Sequence, residues 1–384
     1  MKTLKGVWGG LLPALRLSVE VLPRVGAVPA ATMAAALSLL GSAVLFGSGP
    51  ETGPRFTMAM PHLDGPDRHA LITPPPGKTA AREAVVPAFQ PKASPEGLIN
   101  VPAMPGAAGL PPPSFAALPP LAAVPPLAPA PRPDLIAETP KGGLPVIAAD
   151  GRSPAYVYAR PFVIDERPLV AVVVTGLGLD PEATNAAIAR LPPEVSLAFS
   201  PYAAGLDGWI KAARDAGHEV LLTLPMEPLL FPTHDEGPLA LTANLTAAAA
   251  VERLESILAK AGGYVGVAGP QRSPFAATEP MPAILSALRA RGLIYVGGPL
   301  PTKGMSERRT ALVTAAIDAQ PFRGAVDAQL DRIAAHAQTK GSAVALASPL
   351  PVSFERLAAW LPGLAANGLA LAPVSAVAAA GRDR

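Results

Sequence analysis

Residues 169–180 read LVAVVVTGLGLD, and this stretch decides the fold. A strand with one wet face alternates apolar and polar side chains. Here the apolar run is continuous from Leu169 to Val174, as expected of a strand covered on both faces by helices. The run stops at Thr175 and Gly176. Asp180 then offers a side-chain cap to a helix whose first turn opens with Pro181 and Glu182. Outward from this unit the pattern repeats. Apolar strand candidates lie at 195–200, 219–224, 264–268, 293–296, 312–318, 343–347 and 369–373. Helix candidates lie at 181–190, 206–216, 247–261, 281–291, 325–340 and 354–367. Gly217, Gly262, Gly292, Gly341 and Gly368 follow the helices closely, where a left-handed residue ends a last turn. Strand–helix repetition implies parallel strands joined by right-handed crossovers. An α/β domain over 156–380 with seven or eight strands suits a closed or nearly closed (β/α) barrel. The alternative is an open doubly wound sheet. Its phosphate loop would have to be Gly176-Leu177-Gly178, which lacks the third glycine.

The first 155 residues are of another kind. No charge occurs between Arg24 and Glu51, and 27–47 is apolar enough for a helix crossing a ~30 Å hydrocarbon core. Lys2, Lys5, Arg16 and Arg24 precede it, a bias that keeps 1–26 in the cytoplasm and sends the domain to the far side. A cleaved signal peptide and a buried helix are the other readings of the same run. The chain has 384 residues and 49 prolines, with triplets at 74–76 and 111–113 and pairs at 119–120 and 125–126. Proline lacks a backbone donor and has a fixed φ, so 48–155 reads as a disordered or polyproline-like stalk. The chain has no cysteine, which excludes disulfides, zinc–thiolate sites, iron–sulfur clusters and thiol nucleophiles. The net charge is +2 and no basic stripe interleaves with aromatics, so nucleic-acid binding has no support.

Several phrases occur together, in order, over 169–377. They are VAVVVTGLGLD, LPPEVSLAFSPYA, AGHEVLLTLPMEP, GPLALTANLTAAAAVERL, YVGVAGPQRSPF and ALASPLPVSFERLAAWLPGLAANGLALAPVS. In these phrases the domain resembles the divergent polysaccharide deacetylases, an envelope branch of the polysaccharide deacetylase superfamily. The resemblance implies a distorted (β/α) barrel of the polysaccharide deacetylase type. With the anchor, it implies a single-pass protein of the bacterial inner membrane with a periplasmic C-terminal domain. The superfamily's chemistry uses a divalent ion held by an aspartate and two histidines, with a second aspartate as base on the metal-bound water.

This chain departs from that pattern at each ligand position. Thr175 and Gly176 stand where the family has paired aspartates, and Thr223 and Pro270 where it has histidines. Gly297 replaces an aspartate, and the late histidine–proline turn has become Ala347-Ser348-Pro349. Hydroxyl, proline and glycine do not replace carboxylate and imidazole on a catalytic divalent ion, so neither a metal site nor a cofactor is expected. The polar groups left near the expected mouth are Glu227, Asp318 and His234 as catalytic candidates, and Thr175, Glu227 and Arg272 as ligand-binding ones. His218 precedes a strand and is expected to make structural hydrogen bonds; His336 lies within a helix. Two functional readings follow. One is a non-catalytic module that binds cell-wall glycan, such as peptidoglycan, or an envelope protein partner. The other is a carbohydrate deacetylase or hydrolase with a relocated or metal-free site.

Overall fold

The computed structural model describes residues 110–300 and 309–380. The expected anchor over 27–47 and the stalk up to residue 109 lie outside the described residues. No helix among the described residues is long and apolar enough to cross a membrane.

An antiparallel pair, β1 (Ile136–Thr139) and β2 (Gly142–Pro145), and a short helix α1 (Pro154–Val157) precede the sheet. The sheet then grows by alternation: β3 (Leu169–Leu177), α2 (Pro181–Arg190), β4 (Ser196–Phe199), α3 (Leu206–Asp215), β5 (Val220–Thr223), α4 (Ala247–Leu258), β6 (Gly266–Ala268), α5 (Met281–Ala290) and β7 (Ile294–Gly297). After these come β8 (Thr310–Leu312), β9 (Ala315–Ala316), α6 (Arg323–Lys340), β10 (Ser342–Ala347), α7 (Pro351–Trp360), β11 (Ala370–Leu371) and α8 (Val374–Ala380). The caps are those the sequence predicts. Asp180 accepts hydrogen bonds from the amides of Glu182 (2.8 Å) and Ala183 (3.3 Å). Of the five helix-ending glycines only Gly262 is misplaced, because Gly263 takes the left-handed turn there. The helix expected over 354–367 stops at Trp360, where Pro362 interrupts it, and continues as two 3-10 turns.

All sheet pairings are parallel, in the order β8-β7-β6-β5-β4-β3-β10-β9. One edge of β3 pairs with β10 from Leu169 to Val174. The other edge is shared by β11, at Leu169 and Val170, and β4, from Val173 onward. The two ends of the path, β8 and β9, are adjacent in the chain. The Val313 amide donates to Gly297 O on β7 (2.8 Å), and the next amide, of Thr314, donates to Val344 O on β10 (2.8 Å). The sheet is therefore curved into a half-barrel or more with helices outside it, consistent with a distorted (β/α) barrel. Alternation along the strands makes two cores. Val170, Val172 and Val174 pack under the helices. Ala171, Val173, Ala198, Leu221, Val296, Val344 and Leu346 form the inner core, which α8 joins through Val374, Val377 and Ala378. The Val374 amide donates to Ser196 Oγ (3.1 Å) at the start of β4, so α8 lies at the N-terminal ends of the strands, the base of the fold.

The stalk reading fails for 110–155. Phe115 and Leu118 are buried in the outer core, and the rings of Phe115 and Phe354 lie 5.3 Å apart. Proline density removes backbone donors but leaves carbonyls, and arginines of the domain meet them. Arg190 donates to Phe115 O (2.7 Å), Ala116 O (3.0 Å) and Leu118 O. Arg214 donates to Ala128 O (2.7 Å), and Arg323 to Pro111 O (2.7 Å). The packed body therefore begins near residue 110 rather than at 156. Its proline-rich start is an extended strap, which composition alone does not distinguish from a disordered spacer.

Candidate functional site

In a parallel α/β sheet, the loops at the C-terminal strand ends carry the chemistry. Thr175 and Thr223 continue the inward series of Ala171–Val173 and Leu221 on their strands, which places both hydroxyls at this mouth. The Thr223 hydroxyl accepts from the Gly176 amide (3.0 Å) and donates to Ala198 O (3.2 Å), tying three neighbouring strands together. Gly297 ends β7 beneath the Tyr295 ring. A Cβ added there would lie 2.2 Å from the tyrosine oxygen and 2.4 Å from Cζ, so position 297 has no room for a carboxylate. Burial among apolar groups pushes the Tyr295 phenol well above its ordinary range.

Asp318 follows β9, and its carboxylate is taken up by the turn after β10. Its Oδ2 accepts from the Ser348 amide (2.6 Å) and Ser353 Oγ (2.7 Å), and its Oδ1 from Ser348 Oγ (3.2 Å). Glu227 is likewise a fastener. Its Oε2 accepts from the Ala243 amide (2.6 Å), and its carbonyl accepts from Ser273 Oγ (2.7 Å). His234 is exposed on the same long loop, outside both arrangements. Arg272 is exposed in the loop after β6. The three catalytic candidates are thus not brought together. Among the described residues no group of three His, Cys, Asp or Glu side chains gathers closely enough to hold a metal ion. His218, by contrast, is structural as expected: it is buried, with Nδ1 2.9 Å from Val195 O and Nε2 3.1 Å from Ile188 O. His336 is exposed on α6.

What the mouth does contain is a cavity of about 360 Å³ above β3, β4 and β5. Gly176, Leu179, Ser200, Tyr202, Thr223, Asp235 and Glu236 are among its walls; Thr175, Glu227 and Arg272 are not. Tyr202 is the residue the sequence reading missed. Its hydroxyl accepts from the Leu239 amide (2.8 Å) and holds the 225–245 loop over the opening. Burial, and then the charge of Asp235, push the Glu236 carboxyl up, with His234 opposing. The polar run at 234–236 was the available signal, but its useful members are the two acids rather than the histidine. Leu179 on the cavity wall, and Leu229, Leu230 and Phe231 on the loop after β5, are exposed apolar side chains.

The family model for divergent polysaccharide deacetylases matches residues 172–378. The chain belongs to this family. A solved relative is an uncharacterized protein from Agrobacterium tumefaciens C58. It is 30% identical, with a TM-score of 0.57, over 62% of this chain and 99% of its own. No curated protein matches the chain. As a family member the domain is carbohydrate-related and deacetylase-like in architecture. The divalent ion of the wider superfamily does not fit the residues present. The corresponding positions offer threonine, glycine, proline and serine, and Asp318 is already engaged by three donors.

Proposed function

We propose that this divergent polysaccharide deacetylase domain binds glycan in its mouth without deacetylating it. The carrying observation is the wall chemistry of the 360 Å³ cavity. The Ser200 and Thr223 hydroxyls, the Tyr202 ring and the Asp235 and Glu236 carboxylates suit a hydroxyl-rich ring, while the family's ligand positions hold no cation-binding set. In this reading the domain is a scaffold of the cell envelope, periplasmic, on an inner-membrane anchor at 27–47 and a spacer ending near residue 109. It brings cell-wall glycan, or a protein bound to it, to the membrane. The charge-free run between Arg24 and Glu51 supports the anchor.

The test presents acetylated peptidoglycan fragments to the full chain in detergent. Saturable binding, weakened at least about tenfold by a Tyr202→Ala, Glu236→Ala double change and with no acetate released, supports the proposal. Acetate release that Glu227→Ala abolishes would establish an enzyme instead.

A further inference from the structure

A second cavity lies away from the mouth. It measures about 400 Å³ and opens at the base, among the N-terminal strand ends, α8 and the 150–156 segment. Its position follows from its walls: Ile294 is the first residue of β7, Arg309 precedes β8, and Ala378 lies on α8. The strands separate it from the mouth.

Its chemistry has three parts. Tyr156, on α1, contributes an aromatic side chain that is 76% exposed. Arg152 is fixed between two acids, with Nε on Asp150 (2.6 Å) and Nη2 on Asp134 (3.0 Å), which leaves Nη1 directed to neither. Two serines complete the wall. Ser153 Oγ accepts from Arg309 Nη1 (2.9 Å), so its proton remains available. Ser375 Oγ donates to the buried Glu219 carboxylate, so its lone pairs remain available. The guanidinium of Arg152 is already balanced by carboxylates, so an anion gains little here. A neutral polyol can accept hydrogen bonds from the planar arginine, donate them to the carboxylates and lay its C–H face on the tyrosine ring.

We infer that the base cavity is a second saccharide site, taking a neutral sugar unit on Tyr156, Arg152 and the two serines. With the mouth it would let one domain hold two glycan strands, or two parts of one. The inference does not depend on the mouth reading, because the two cavities share no residue.

The chain has five tyrosines, of which Tyr156 lines the base and Tyr202 the mouth, while Tyr158, Tyr264 and Tyr295 are buried. Selective isotope labelling of tyrosine in the full chain therefore reads both sites in one titration with di-N-acetylchitobiose. The expected result is a saturable shift of the Tyr156 signal. Arg152→Ala weakens that response about tenfold and leaves any Tyr202 response as it was. Calorimetry with Tyr156→Ala, which removes an exposed side chain and so preserves folding, loses the same binding phase. A Tyr156 signal that stays still while Tyr202 moves overturns the second site and leaves the mouth reading intact. Movement of Tyr156 alone supports the second site and counts against the mouth. An Arg152→Ala variant that melts like the parent and binds equally well also overturns it.

Discussion

Glu219 gives the sharpest test of how the base is held. It is fully buried at the start of β5 and joins four parts of the fold. Its Oε1 accepts from the Ser375 amide (3.0 Å) and Ser196 Oγ (3.4 Å); its Oε2 accepts from the Arg160 amide (3.2 Å) and Ser375 Oγ. Glu219→Ala strands two backbone N–H groups that cannot turn away; the two hydroxyls can rotate. At about 1–3 kcal/mol per orphaned buried donor the loss is about 2–6 kcal/mol. Relief of a buried carboxyl reduces it to about 2–4 kcal/mol. In domains of about 150–250 residues, that lowers Tm by about 4–15 °C. The pH dependence carries a sign. Burial raises the folded carboxyl above its ordinary value of 4.5, against the pull of its hydrogen bonds. As pH climbs from the ordinary value towards the raised one, the unfolded chain releases a proton that the folded chain retains. This contribution to stability is complete below the ordinary value and is lost through the window above it. Glu219→Gln has no such titration, so the Tm gap between the parent and this variant should move in the variant's favour as pH rises above the ordinary value of 4.5. Thermal melts of the full chain by near-ultraviolet circular dichroism measure both effects. A Glu219→Ala chain melting within about 2 °C of the parent, or a gap that stays flat with pH, would refute the reasoning.

Two further outcomes follow from close packing and from the strap. Gly297→Ala drives a methyl into the Tyr295 ring and should cost about 1–3 kcal/mol in denaturant melts. Tyr295→Phe should not rescue it, since Cζ itself lies 2.4 Å from the added carbon, whereas Tyr295→Leu should recover part of the loss. Arg214 donates to Tyr158 O (3.0 Å), Gly263 O (3.3 Å) and Ala128 O (2.7 Å), and its own carbonyl accepts from the Leu127 amide. Arg214→Met should therefore speed hydrogen exchange at Leu127 by about tenfold or more while β3 amides keep their protection; equal protection in the strap would show that the arginine does not hold it.

Local chemistry made much of this protein legible. The six apolar residues from Leu169, the Asp180 cap and the recurring glycines mark strands and helix ends, because each depends on neighbours within a turn or two. That Thr175, Pro270 and Gly297 bring neither carboxylate nor imidazole is also a property of the sequence. Tertiary structure decided the rest. Asp318 looked available until the turn after β10 surrounded it with Ser348 and Ser353, which lie 30 and 35 positions away. Tyr202 and Glu236 share a cavity only because the loop after β5 folds back over β4. The prolines from 111 onward looked like a spacer because composition records the donors a segment lacks. It cannot record the distant arginines, Arg190, Arg214 and Arg323, that reach its carbonyls. Periodicity and capping act over a few residues and can be read along the chain; whether a polar group is free or occupied depends on partners that only folding brings near.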